Sequence, residues 1–263
     1  SYYLENGSSS LSSYQFLIIL GSIFGLVSVL VKWPVPGGTP EDKSIAYRHY
    51  FSDIKRPLTD GPFLKFIIGL SLVSLATHSW GTFIPLFMKE EVGLTSSDVV
   101  QLQTWTMIGT LFSSYIWGYF ADKIGSRAVL LLGLFGLIAL PIIWILLPKI
   151  QMNFNWVAGF SCSIWGAATI GFSIGQEKRL NVELVTPENK TEYMTIFYTT
   201  SQVAAVVSPL LAGWGLDWCQ SIDNSFWMVK WGTYVPFFFI NVLILFLSIV
   251  LFNYKEKMDR INN

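Results

Sequence analysis

The chain has 263 residues and zero formal net charge; 52% of its residues are apolar and only 13% are charged, where a soluble globular domain carries roughly 25% charged residues. That composition excludes an ordinary water-soluble domain, and no concentrated basic face offers itself to nucleic acid. The apolar residues are gathered into blocks rather than spread at helix or strand periods, so each block is tested as a membrane span.

A hydrocarbon core about 30 Å thick is crossed by about 20 apolar residues in a helix, because the backbone there satisfies its own hydrogen bonds. In chain order, a polar, Ser/Gly-rich outer loop of residues 1–13 leads into a first span, Ser12 to Val31. No Lys or Arg precedes that span and no convincing small-residue cleavage site follows it, so it does not read as a signal peptide. Residues 32–65 form the one long connection. It opens with Pro34, Pro36, Gly37, Gly38 and Pro40 and turns helix-like from Asp42 to Lys55, where Tyr47, Arg48, Tyr50 and Phe51 suit a short helix on the membrane surface. Six further spans follow: Phe66 to Met88, Val99 to Ala121, Ala128 to Leu147, Phe154 to Gly175, Met194 to Leu216 and Trp231 to Asn253. All seven run 20 to 23 residues without Asp, Glu, Lys or Arg. The expected fold is an all-α membrane protein with seven transmembrane helices. Residues 1–31 supply the outer loop and first helix, 32–65 a linker, 66–253 a six-helix unit of consecutive antiparallel neighbours, and 254–263 a tail.

Charge sets the expected orientation. Lys32, Lys43, Arg48, Lys55, Arg56 and Lys65 fall between the first and second spans, and Lys123 and Arg127 between the third and fourth. Lys178, Arg179 and Lys190 lie between the fifth and sixth, and Lys255, Lys257 and Arg260 after the last. One face therefore holds 14 of the 17 basic residues, leaving Lys89, Lys149 and Lys230 on the other. By the positive-inside bias the rich face is cytoplasmic, with the N-terminus outside and the C-terminus inside, and a plasma or bacterial inner membrane as the setting. Cys162, inside the fifth span, and Cys219, at the outer end of the sixth, are too few for a disulfide framework and too far apart in depth to pair; they read as structural thiols.

The loop between the third and fourth spans interrupts two apolar runs with charge: Gly118-Tyr-Phe-Ala-Asp122-Lys123-Ile-Gly125-Ser126-Arg127. Gly118 lets a neighbouring helix approach closely, and Gly125 can take the positive φ of a tight turn. Asp122, at the membrane edge, is stabilised by a helix N-terminus and nearby cations, while Lys123 and Arg127 hold the loop in the cytoplasm. This pattern resembles the signature loop of the major facilitator superfamily, which lies between helices two and three and, in a weaker copy, between eight and nine. Ser126, where the stronger copy often has Arg, fits the weaker one. The resemblance implies that the first span is helix six, the 34-residue linker the central loop, and the remaining spans helices seven to twelve. The chain, beginning at Ser1, then reads as a piece of something longer that lacks its N-terminal half. The Asp of this signature is understood to latch the two halves, so the implied partner of Asp122 is a helix of that half. Thr186-Pro187-Glu188-Asn189 likewise resembles the loop before helix eleven, and Ser208-Pro209-Leu-Leu-Ala212-Gly213 weakly resembles the Gly-Pro motif of helix five, with a bend at Pro209 as the physical expectation.

The resemblance implies secondary active transport of a small solute (sugar, drug or metabolite) by alternating access, driven by a gradient of protons or another ion or by the solute's own gradient, with the lipid bilayer and the N-terminal half as partners and no cofactor. Helices seven, eight, ten and eleven would line the cavity. Polar and aromatic residues at helical spacing supply the candidates: Ser74, Thr77 and His78; Gln101, Trp105, Phe112 and Tyr115; Trp165; and Tyr198, Ser201 and Gln202. Helix-to-helix packing through polar contacts is the competing reading for each. Glu177, Lys178 and Arg179 are candidate gate residues or simply charges that end a span. No Walker-type phosphate loop, Cys/His metal cluster or HExxH supports an enzyme. The alternatives are a seven-helix receptor or retinal-type protein, disfavoured because the last span has no central Lys, and a non-transporting accessory protein. The 14-to-3 distribution of basic residues makes a direct prediction. A cysteine placed at Gly38 is labelled by a membrane-impermeant reagent only after permeabilisation, and one at Ser8 without it; the reverse pattern overturns the orientation.

Overall fold

A computed structural model describes residues 11–32, 50–146, 154–185, 190–221 and 234–252. In order these form α1 (Leu11–Lys32), α2 (Tyr50–Thr59), α3 (Gly61–Glu90), α4 (Ser96–Lys123), α5 (Ser126–Leu146), α6 (Phe154–Lys178), a π-helical turn (Arg179–Leu184), α7 (Lys190–Ser221) and α8 (Val235–Phe252). Over its described residues each expected span overlaps one of the long helices, and no strand occurs among the described residues. The described part of the linker helix is Tyr50–Thr59, which runs past the expected end at Lys55; residues 1–10 of the outer loop, 33–49 of the linker, Thr186 to Asn189 and the 254–263 tail lie outside the described residues.

Caps, rather than hydropathy, set where the helices end. Asp60 accepts from the Phe63 amide at the start of α3, adding helix before the apolar run begins. Thr95 and Asp98 form a reciprocal capping box at the start of α4. Five helical stretches are long and apolar enough to cross a membrane: Gly61–Glu90, Ser126–Leu146, Trp156–Leu184, Lys190–Trp218 and Val235–Phe252. Helix α4, more polar, is not among these five, and α1 offers only the shorter apolar stretch Ile18–Lys32. Thr104, Thr106, Thr110 and Ser113 return their hydroxyl hydrogens to the carbonyls four residues earlier, at 2.6 to 3.3 Å, so none is left bare in an apolar surround.

The six-helix unit is not a row of sequence neighbours. Helix α4 packs chiefly on α6, α6 also on α5, α3 on both α8 and α7, and α8 on α5. Glycines decide these pairings. A Cβ at Gly109 would lie 2.0 Å from the Ser163 carbonyl oxygen, and one at Gly166 would lie 2.0 Å from that of Thr106, so α4 and α6 touch backbone to backbone. On the other side of α6, Gly133 meets the Phe172 amide at 2.4 Å and Gly175 the Leu130 amide at 2.5 Å by the same measure. Trp117 adds a hydrogen bond from Nε1 to the Ala167 carbonyl (2.7 Å). The α3–α8 contact is aromatic instead: Trp80 on Phe238 at 4.4 Å, Phe87 on Phe238 at 4.9 Å, and Phe252 over Gly69. Two apolar cores result, one around Phe66, Leu134 and Phe172, the other around Phe87, Trp144 and Phe238, and Trp165 packs against both. Helix α1 stands apart, its side chains exposed from Ile18 to Lys32.

Because the α4–α6 contact is made by backbone, it has no flexible side chain that can give way. Gly166→Val is predicted to destabilise the protein by about 3 kcal/mol or more, at the upper end for overpacked cores. Gly81→Ala, where nothing lies within 4 Å, is predicted to be neutral or to stabilise by up to about 1 kcal/mol through helix propensity. Thermal unfolding in detergent distinguishes the two.

Candidate functional site

At the end of α4 the signature loop is closed by its own bundle. Gly125 has φ +89°, the left-handed turn expected of it, and separates α4 from α5. Asp122 forms an ion pair with Lys178 at the end of α6 (2.5 Å), and the same ammonium donates to the Ala121 carbonyl (2.7 Å). Lys123 lies over the Tyr119 ring, 4.6 Å from its centroid, and Arg127 is half-buried. The buried Ser126 hydroxyl donates to the Glu183 carboxylate of the π-helical turn. Within the described chain two features of the loop are set. Nothing lies within 4 Å of a Cβ at Gly118, so the described chain makes no close approach there. The cation on Asp122 is Lys178, one of the three candidate gate residues.

The other two gate candidates differ from it. The Arg179 guanidinium is buried over the Phe66 ring at 5.8 Å, tying the π-helical turn to α3. Glu177 is exposed, and its backbone carbonyl accepts from Asn181. The end of α6 therefore reaches α4 through Lys178, α3 through Arg179 and α5 through Glu183, three elements brought together by one turn. Such π-turns are rare and concentrate at functional sites.

The cavity candidates separate into three groups. His78 is exposed on α3 with its Nδ1 2.9 Å from the Ser74 carbonyl oxygen, and Ser74 is half-buried beside it. On α7, Tyr198 and Gln202 are exposed and Ser201 half-buried, on the opposite side from the exposed apolar Val203, Val207 and Leu210. Thr77 and Trp165 turn inward: with Trp80, Pro141 and Asn241 they line a gap of about 10 Å³ between α3, α5, α6 and α8, the size of a single water. There the Trp80 Nε1 is buried without a hydrogen-bond partner among the described residues.

The α4 stripe is not brought together with these. Trp105 packs edge-to-face on Trp156 at 6.0 Å and against Gly159. Gln101, Phe112 and Tyr115 share that edge of α4 by helical period, and it adjoins exposed Phe160 and Ile164 of α6. The opposite edge runs through Thr106 and Thr110, which meet Gly166, and by the same period it includes Gln103 and Ser114. Thr169 and Ser173 follow Gly166 on that side of α6. A signal for this polar edge was present in the sequence, since Thr106, Thr110 and Ser114 recur every four residues, but the larger aromatic residues masked it.

An all-helical bundle with several apolar helices long enough to span a bilayer defines a multi-pass integral membrane protein. The family model of the Major Facilitator Superfamily matches residues 7–177, well over half the chain, and the chain belongs to that superfamily. It is 22% identical over 191 residues to Autophagy-related protein 22 of Pichia angusta, covering 70% of this chain and 34% of that protein, so it spans about a third of that relative's length. Its fold is similar to the crystal structure of a bacterial homolog of the human lysosomal transporter Spinster, inward-facing and unoccupied. The TM-score is 0.57 at 15% identity, over 95% of this chain and 60% of that one.

The Asp122–Lys178 pair is testable by a double-mutant cycle. Asp122 is 79% exposed, so a coupling energy of only about 0.3 to 1 kcal/mol is expected. Lys178→Gln is predicted to cost more than Asp122→Asn, because it also removes the donor to the Ala121 carbonyl. Chemical or thermal unfolding of the two single mutants and the double mutant measures both.

Proposed function

We propose that the chain is the C-terminal half of a secondary transporter that moves a small solute by alternating access, completed by an N-terminal half of the same protein. The observation that carries this reading is the pair of exposed polar faces, Ser74 with His78 on α3 and Tyr198 with Gln202 on α7, on a bundle whose other exposed surface is mainly apolar. Polar groups on a membrane helix are costly against lipid and belong beside a second bundle or a water-filled cavity. Transporters built from repeated halves place their site at the repeat interface near the midplane. His78, the one imidazole within these spans, is the proposed proton-coupling or substrate-binding group on that surface. The 122–127 loop, with the Lys178 ion pair, is the proposed cytoplasmic latch; the N-terminus of the chain lies outside and the C-terminus inside.

In the full-length protein, water-soluble thiol reagents are expected to label cysteines at 78, 198 and 202, with protection by the transported solute, and to leave cysteines at 112 and 115 unlabelled. Uniform inaccessibility of 78, 198 and 202 returns those faces to packing and removes the cavity. Asp122→Asn is expected to insert normally and to slow transport several-fold, since it keeps the shape but loses a charge interaction of about 1 kcal/mol. Normal uptake by a normally expressed mutant rules out the latch.

A further inference from the structure

The membrane edge opposite the 122–127 loop has a second, separate recess. Asp98, Gln101, Leu102, Trp105 and Trp156 line a cavity of about 210 Å³ between the start of α4 and the start of α6. It lies on the Trp105 edge of α4, beside exposed Phe160 and Ile164, and so outside the polar surface assigned to transport. Its walls are specific. The two indoles meet at 60° with centroids 6.0 Å apart, forming a corner rather than a flat platform. Gly159 permits this, since a Cβ there would come within 3.0 Å of the Trp105 ring. The carboxylate is half-engaged: Asp98 Oδ2 accepts from the Thr95 amide (3.0 Å) and hydroxyl (2.7 Å), and Oδ1 takes no hydrogen bond among the described residues. The capping box thus fixes the carboxylate and leaves one oxygen for a ligand. At this end of the bundle the described residues include Glu90, Glu91, Asp98 and Asp217 against Lys89 alone.

We propose that this recess binds a small organic ammonium group, held by the Trp105 and Trp156 faces and the Asp98 carboxylate. Ring quadrupoles attract a cation lying over them, and two inclined rings surround a compact, roughly spherical group where a sugar would need one open face. A carboxylate beside the corner supplies the full charge. The depth favours a lipid source: tryptophan sits at the headgroup level of a bilayer, and the recess opens on an apolar, lipid-like flank. The ammonium is accordingly that of a choline phospholipid headgroup, with a soluble quaternary ammonium ion as the other carrier of the same chemistry.

The full-length protein, purified in detergent and given equal amounts of phosphatidylcholine and phosphatidylglycerol, tests this by native mass spectrometry of the retained lipid, with tetramethylammonium binding measured separately by equilibrium dialysis. Phosphatidylcholine is expected to be retained with about five-fold preference, falling to near parity in Trp156→Ala and about three-fold in Asp98→Asn, the scale set by a lost cation–π contact. Trp156 is 70% exposed, so its truncation leaves the fold intact, and Asp98→Asn retains a side-chain oxygen for the cap. Tetramethylammonium binding that both variants weaken, without lipid preference, supports the ammonium site and assigns it to a soluble cation. No lipid preference and no tetramethylammonium binding in the wild type, or binding unchanged in both variants, overturns it.

Discussion

Inside a bilayer no water waits to satisfy an exposed backbone or to drive helices together by its release, so close contact between backbones has to supply what the hydrophobic effect supplies elsewhere. Helix α6 is where this chain meets that constraint. Gly166 receives α4, Gly175 receives α5, and Gly109 and Gly133 on those partners complete the contacts, each with backbone where a side chain would otherwise stand. With α6 as a post, α4 and α5 are held on two sides of it. The α3–α8 pair joins through aromatic rings, and α7 closes the unit on α3, partly through the Ser208 hydroxyl bonded to the Leu75 carbonyl at 2.5 Å.

The same rule governs polar side chains. Hydroxyls on α4 bond back to their own helix, the Ser79 hydroxyl donates to buried Asn241 Oδ1 at 2.9 Å, and Asn241 Nδ2 donates to the Phe237 carbonyl at 2.9 Å. These groups are used up by the fold. Gln202 and Tyr198 on α7 remain on an exposed face, whereas the charged groups at the end of α6 are engaged with α3, α4 and α5.

That end is also where the proposed alternating-access cycle has its adjustable contact. A switch between two arrangements needs contacts that can be made and broken at modest cost, because a ligand moves an equilibrium only by its differential affinity. A surface ion pair such as Asp122–Lys178 is of that size, whereas the glycine-notched contacts of α6 are not. The bundle is therefore suited to move as a rigid body, with its loops as the adjustable parts.

The sequence by itself determined where the helices are, which end holds the basic residues, and that Gly125 turns the chain, because length, hydropathy and a positive-φ requirement are properties of the chain read along its axis. It did not determine rotation. These helices are apolar nearly all round, so periodicity cannot mark the face that a neighbour covers. The α4 stripe of Gln101, Trp105, Phe112 and Tyr115 shows the consequence: its residues do share a face, but only the packing of Trp105 on Trp156 and of Gly109 on Ser163 decided which way that face turns. The same holds for Gly118, open where a close approach was expected, and for Lys178, 56 residues from Asp122 in the chain. Neighbours across a bundle are set by which backbones fit together, and that is decided only when all six helices are in place.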